Sequence, residues 1–303
     1  MVVYIVGSGR WAKEIFKVCF FELKIKKIVF VSTRIKLKKW IKKLINKKKE
    51  IKFIKYLPPR DSRFSKVIIC NNVEKHYKSA LDALHKNYQI FIEKPICKNI
   101  KQINKLLEFK NRISCSKIFS FDKSLKNFTK LFRNQKIKKI FIEWHDPFIE
   151  KRYGLIKKHN KKIDYIFDIF PHILNLAEII LRTKNLHFIK LIKIIQNNRD
   201  FTNFIFCLNN VVFNCSVNRK KIIRKRYIKV ITNKKVFVID FSGNNHLNLK
   251  NIEQQNEFYF KYHNKKNNLK KMLNYFLKNK KYQNILSFEY AFNYMKIYDK
   301  IFL

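Results

Sequence analysis

Residues 2–12 read Val2-Val3-Tyr4-Ile5-Val6-Gly7-Ser8-Gly9-Arg10-Trp11-Ala12, and the fold turns on how that stretch is understood. Five apolar residues suit a buried strand, and the pattern from Trp11 to Leu23 suits a helix, so the glycines sit at a strand-to-helix turn. Gly7-x-Gly9-x-x-Ala12 has the form G-x-G-x-x-A. In such a turn the first glycine makes the tight bend, the second clears a side chain from the approach of a pyrophosphate, and the small third residue lets helix and strand pack closely. The free N–H groups of the helix N-terminus then face the phosphates. The chain has only four glycines, and two of them fall at these positions, which sharpens a motif that is weak alone. A dinucleotide is therefore expected at Gly7, Ser8, Gly9, Arg10 and Trp11.

Outward from this turn, strand-like and helix-like stretches alternate. Lys27–Ser32, Ile51–Tyr56, Lys66–Cys70, Gln89–Ile92 and Ser114–Ser120 read as further strands, with helices over Val73–Asn87 and near Ile100–Phe109. Short apolar strands separated by helices predict an α/β, doubly wound parallel sheet, because each crossover helix must cover a sheet face. Beyond residue 121 the texture changes. Lys139–Trp144, His187–Ile195, Phe204–Leu208, Val211–Val217, Tyr227–Thr232 and Val236–Phe241 are strand-like, with Asn209-Asn210 as a two-residue hairpin turn. One helix is expected over Asp168–Leu181 and more after Asn267. The reading is a Rossmann domain over 1–121 and an α+β domain with an open, mostly antiparallel sheet over 122–303.

The 303 residues carry a net charge of +47, with 47% hydrophobic and 15% aromatic residues, which is ample material for two cores and excludes a disordered tail. Lys, Ile, Asn and Phe dominate while Gly and Pro are scarce, the coding bias of an AT-rich genome. The cations are scattered through helices, turns and strand edges, and Lys47–Lys49 is a solvated turn, so no specific nucleic-acid partner is expected. No apolar run reaches a spanning length without a charge, and no basic residue precedes the N-terminal apolar run, so neither membrane nor secretion is expected. The six cysteines form no CxxC pair and have no histidines at zinc spacing, which points to reduced core thiols in a cytoplasmic protein with no metal.

At the end of the second strand, an NAD site usually carries an acid for the ribose 2′-hydroxyl. Here Ser32-Thr33-Arg34 stands instead, with no acid before Glu50. A guanidinium pairs bidentately with a 2′-phosphate, so NADP is favoured and NAD remains possible. Asn71 and Asn72 close the fourth strand, and His76 and Glu93 with Lys94 complete the cofactor-binding candidates.

Lys94 lies at the C-terminal edge of a parallel strand, where open α/β sheets bind ligands, and a lysine there can stabilise alkoxide character. Pro95 would fix the backbone beside it, and a cis Lys94–Pro95 bond is possible. Asp168 and His172, four apart, share a helix face, so Asp168 can hold a His172 that exchanges a proton near neutral pH. Pro171 between them is tolerated in the first turn of a helix that starts near Asp168. Trp144-His145-Asp146-Pro147 with Glu150–Gly154 is either part of a substrate site or a plain surface loop.

The glycine turn, then His76, Ala80 and Ala83-Leu84 ahead of Glu93-Lys94-Pro95, then Asp168-Ile169-Phe170-Pro171-His172, resemble in that order the Gfo/Idh/MocA family of glucose–fructose oxidoreductase and inositol dehydrogenase relatives. The resemblance runs through most of the chain. It implies an NAD(P)-dependent oxidoreductase moving hydride between nicotinamide and a carbonyl or alcohol carbon of a small polar substrate, of sugar, polyol or nucleotide-sugar type. It also implies Lys94, His172 and Asp168 as the catalytic residues and a homo-oligomer, dimer or tetramer, paired through the C-terminal sheet. Other relatives reduce an imine or another natural-product intermediate, and a non-catalytic dinucleotide-binding sensor is the rival of another class. Many relatives have glycine where this chain has Phe170, so a bulky ring is expected near the substrate.

Overall fold

A computed structural model describes residues 1–45, 51–60, 64–152, 155–158, 163–183, 186, 189–242, 257–262, 267–278 and 285–302. Lys47–Lys49, Glu50, Tyr153, Gly154 and the 187–188 start of one expected strand lie outside them. The chain forms two compact units, Met1–Phe121 with Lys266–Asp299, and Asp122–Lys265 with Lys300–Leu303.

The first unit is built on β1 (Val2–Val6), β2 (Lys27–Val31), β3 (Ile51–Ile54), β4 (Lys66–Ile69), β5 (Gln89–Ile92) and β6 (Ile113–Cys115). They pair in parallel in the order β3-β2-β1-β4-β5-β6. That order reverses direction between β1 and β4, and ligands of such sheets bind beyond the carboxyl ends of the strands at the reversal. All four residues of β4 are buried, as a strand covered on both faces requires. Between the strands run α1 (Arg10–Lys17), α2 (Ile35–Leu44), α3 (Val73–His85) and α4 (Ile100–Leu106). Ala12, Ala80 and Ala83 are fully buried, the small residues that let α1 and α3 approach closely.

Lys266–Asp299, expected with the second domain, packs with the first unit instead. α7 (Asn268–Lys278) puts Met272, Leu273, Phe276 and Leu277 into one core with Val3, Ile5, Phe16, Phe30 and Phe91. Lys66 Nζ donates to the Phe276 carbonyl at 2.6 Å, and the Cys115 N–H donates to the Leu286 carbonyl at 2.8 Å. From α8 (Phe288–Phe302), Tyr294 Oη accepts the Ile96 N–H at 2.8 Å.

The second unit carries β7 (Ile137–His145), β10 (Lys190–Asn198), β11 (Phe201–Leu208), β12 (Val211–Asn218), β13 (Lys225–Thr232), β14 (Val236–Asp240) and β15 (Glu257–Phe260) in the order β10-β11-β12-β7-β13-β14-β15. Four of its pairings are antiparallel; β12–β7 and β14–β15 are parallel. Asn209 and Asn210 have φ of 51° and 61°, the left-handed pair that a tight hairpin demands. Burial alternates residue by residue along β11 and along β12 as far as Val217, so the sheet has one buried and one half-buried face. α5 (Lys123–Lys130) opens this unit, and on the buried side of the sheet lies α6 (Tyr165–Leu181), where Phe170 meets Phe204 of β11 at 6.0 Å between ring centroids. The half-buried side carries Phe141, Ile205, Val212, Tyr227 and Ile231. The Glu150–Lys158 stretch, read as a loop, pairs instead as a hairpin of β8 (Ile149–Arg152) and β9 (Leu155–Lys158).

α6 begins at Tyr165, three residues ahead of Asp168. Pro171 therefore lies in the second turn rather than the first, and it has no N–H to offer the Phe167 carbonyl four residues back, so the ladder skips a rung there.

Candidate functional site

The carboxyl ends of β1, β4 and β5 bring three loops to one edge of the first sheet. The Cys70 N–H donates to the Val6 carbonyl at 3.0 Å, which ties the glycine turn to the loop after β4, and the Glu93 N–H does the same to Ile69 at 2.9 Å. Two glycines serve this corner for different reasons. Gly7 has φ +147°, and a Cβ there would lie 2.9 Å from the Cys70 carbonyl oxygen, so both backbone and packing require glycine. Gly9 has φ −76°, open to any residue, and a Cβ on it would meet nothing within 4 Å. Nothing in the fold itself forbids a side chain at Gly9. What its absence keeps clear is the approach to the N-terminus of α1, of which Gly9 is the N-cap.

Three buried polar atoms at this edge have no hydrogen-bond partner among the described residues: Arg10 Nη1 after β1, Asn71 Oδ1 after β4 and Glu93 Oε1 after β5. Buried polar groups are nearly always bonded, so three in neighbouring loops suit an edge built to meet a polar ligand. Asn71 is held by a bond from its Nδ2 to Ser79 Oγ at 2.8 Å. Burial pushes the Glu93 carboxyl up, opposed by hydrogen bonds from Trp11 and Ser116 and by the charge of Lys94. Lys94 is half-buried, and its bond to Pro95 is cis. Ser8 is half-buried, Trp11 and Asn72 are exposed, and Asn72 is the N-cap of α3. Arg34, exposed, is the N-cap of α2, and its N–H donates to Ser32 Oγ at 3.3 Å, with Thr33 exposed between them.

His76 differs from its reading as a nucleotide contact. It is buried under the loops, with Nδ1 at 2.7 Å from the Pro95 carbonyl and Nε2 at 3.0 Å from the Asn71 carbonyl. It sits between the loop after β4 and the one after β5, and in its neutral form its single N–H donates to one of the two carbonyls. Burial holds its imidazole below the ordinary value, opposed by bonds to the Pro95, Asn71 and Ile96 backbone.

In the second unit, Asp168 and His172 sit one turn apart at half-buried positions of a helix otherwise largely enclosed. Phe170 is not beside them. At 100° per residue it points to the other side of α6, into the core, where it also meets Phe302 at 5.4 Å. The expectation of a ring against the substrate is thereby corrected. His172 stacks on the ring of Trp144 with centroids 5.3 Å apart and planes 12° from parallel. Trp144 and Asp146 are buried, so Trp144–Asp146 is neither a surface loop nor an exposed lining.

The sequence of the first domain matches a known family. A family model described as "Oxidoreductase family, NAD-binding Rossmann fold" (GFO_IDH_MocA) matches residues 2–119. That domain belongs to the Gfo/Idh/MocA family. None of the curated proteins matches the chain by sequence. Among solved structures, a UDP-N-acetylglucosamine 3-dehydrogenase from Acidithiobacillus ferrooxidans is similar over 99% of this chain and 96% of its own, with a TM-score of 0.71 and 13% identity. A 3-ketoreductase from Actinomadura kijaniata, in complex with TDP-benzene and NADP, gives a TM-score of 0.73 and 11% identity over 99% of this chain and 96% of its own. A myo-inositol dehydrogenase from Corynebacterium glutamicum gives 0.69 and 13% over 98% and 94%. Over the whole chain these likenesses are ones of fold. The glycine turn, the cis Lys94–Pro95 and the loops of β4 and β5 lie inside the matched domain.

All six cysteines are free thiols, five of them buried. Among the described residues no group of three or more His, Cys, Asp or Glu is placed to hold a metal ion, and no helix is long and apolar enough to cross a membrane. The sequence reading passed over Arg224 and Arg226, hidden in a basic run, which converge on Asp146. Set among Arg219, Lys220, Lys221 and Lys225, they carry no sequence signal that separates them from their neighbours.

Proposed function

We propose that the protein is an NADP-dependent oxidoreductase acting on a carbonyl or alcohol carbon of a small polar substrate of sugar, polyol or nucleotide-sugar type. A bound dinucleotide would supply or accept the hydride. The observation that carries this is Gly9, glycine where neither backbone nor packing asks for it, at the head of α1 and beside unbonded Asn71 and Glu93 oxygens. Gly7 to Trp11 would take the pyrophosphate and Ser32, Thr33 and Arg34 the 2′-phosphate. Lys94 donates to the reacting oxygen and stabilises its developing charge, while His172 exchanges the proton and Asp168 orients it. The substrate class is supported by the names of the similar structures, and by Phe170 lying in the core, where it takes no room from a polyol or sugar.

We further propose a cytoplasmic homo-oligomer, paired through the half-buried face of the second sheet, where Phe141, Tyr227 and Ile231 leave apolar surface beside the Lys229–Glu257 ion pair.

The test is single-turnover hydride transfer with NADPH and NADP against myo-inositol and UDP-N-acetylglucosamine and their keto forms. Lys94→Ala and His172→Ala should each lose on the order of 10²–10³ in rate with NADPH affinity unchanged, and Asp168→Asn should lose less. Wild-type rates in either alanine variant would mean the roles belong to other residues.

A further inference from the structure

The imidazole plane of a histidine is poorly set by its own torsion, because a terminal sp³–sp² bond has broad minima. A histidine that must present one ring nitrogen in one direction needs a neighbour to fix that plane. His172 has such a neighbour in Trp144, whose indole lies 5.3 Å away and within 12° of parallel.

The indole is in turn held on several sides. It is fully buried on β7, and its Nε1 donates to Asp146 Oδ2 at 3.2 Å. Arg226, the cross-strand partner of Trp144 on β13, grips the same carboxylate in a fork, Nε to Oδ1 at 3.1 Å and Nη2 to Oδ2 at 2.8 Å. Its guanidinium also lies 4.2 Å from the Trp144 ring centroid. Arg224 Nε stands 3.5 Å from Asp146 Oδ1. The Asp146 N–H donates at 2.8 Å to Tyr165 Oη, and Tyr165 is the first residue of α6, the helix that carries His172. Sheet end and helix start are thus pinned to each other around one ring. A buried ion pair is seldom the most stabilising filling for a core, so its geometry rather than its energy is what it contributes.

We propose that Trp144 is a positioning residue for His172, with Asp146 and Arg226 holding the indole shelf that sets the imidazole plane. This rests on the reading of His172 as the proton-exchanging group, and its test separates the two. In the full chain labelled at histidine, the His172 ring protons, identified by their loss in His172→Gln, should be shifted upfield by the indole and show cross-relaxation to Trp144. In Trp144→Leu the shift should collapse toward that of an unstacked histidine, while Trp144→Phe should keep a smaller upfield shift. With myo-inositol or UDP-N-acetylglucosamine as the probe and NADP as the hydride acceptor, Trp144→Leu should lower kcat about 10- to 100-fold with KM for NADP unchanged, as expected for a misaimed group, and Trp144→Phe should recover most of the rate.

If Trp144→Leu does not fold, the wild-type spectrum alone decides. Absence of the upfield shift and of cross-relaxation to Trp144 would overturn the proposal, as would an unchanged His172 signal in folded Trp144→Leu. Wild-type turnover in His172→Ala would overturn the catalytic reading and leave the spectroscopic result standing.

Discussion

Placing a methyl group at each of the two turn glycines should produce opposite failures. In Gly7→Ala the new Cβ would fall 2.9 Å from the Cys70 carbonyl oxygen and 3.0 Å from the Asn71 nitrogen, backbone atoms that cannot swing aside. The same residue would be forced to φ +147°. Strain of that kind costs about 1–3 kcal/mol, and overpacking costs about as much again. At roughly 2–4 °C per kcal/mol for a domain of this size, Tm should fall on the order of 10 °C. In Gly9→Ala neither term applies: φ is ordinary and the methyl meets nothing within 4 Å. Replacing an N-cap glycine by alanine costs about 1 kcal/mol at most, so Tm should stay within about 4 °C. Its methyl would instead stand in the approach to the α1 N-terminus, and NADPH should bind at least about tenfold more weakly, a loss of ~1.4 kcal/mol. Thermal melts without nucleotide and a fluorescence titration with NADPH measure the two effects separately. Wild-type NADPH affinity in a folded Gly9→Ala would place phosphate binding elsewhere, and a wild-type melt for Gly7→Ala would refute the strained turn.

Arg34→Ala should reduce the preference for NADPH over NADH about tenfold without changing NADH affinity, and equal affinities in the wild type would remove the basis for NADP. Phe170→Ala should lower Tm on the order of 10 °C, since truncating a buried Phe costs about 3–5 kcal/mol, while NADPH affinity stays put; a change in substrate choice without a drop in Tm would mean the ring faces the site. Stability should also fall in mild acid. His76 titrates below its unfolded value, so the unfolded chain takes up the proton first, and stability present above about pH 6.5 is lost as pH falls from there toward the folded pKa, at up to ~1.4 kcal/mol per pH unit. Urea unfolding of wild type and His76→Gln at pH 7.5 and 5.5 isolates that contribution, and an identical pH response in both would exclude it.

Much of the fold could be read because single residues dictated local geometry. The left-handed Asn209-Asn210 pair, the uniformly apolar Val67–Ile69 run and the alternation along Val211–Val217 each admit few backbone solutions. The direction of Phe170 was equally legible, since two residues on a helix turn 200° and so carry it away from the Asp168–His172 face. Other features depend on partners far along the chain. An amphipathic helix such as α7 shows which of its faces is apolar but not which core it joins, and a buried lysine such as Lys66 looks like any other cation until the Phe276 carbonyl is beside it. The burial of His76 is hidden for the same reason, because its two carbonyl partners come from different loops.

The return of Lys266–Asp299 to the first unit has a consequence for how the protein is made. Synthesis delivers β1 to β6 first, yet the core that holds Val3, Ile5 and Phe91 also needs Met272, Leu273 and Phe276, about 150 residues later on the ribosome. At roughly 5–20 residues per second that gap lasts on the order of ten seconds, during which the emerging sheet has apolar surface waiting for its last helices. The half that is born first is completed last, while the intervening Asp122–Lys265 unit has all but its final four residues to hand and can fold in the interval. Expression of residues 1–121 alone should for the same reason yield an aggregating fragment rather than a smaller nucleotide-binding domain.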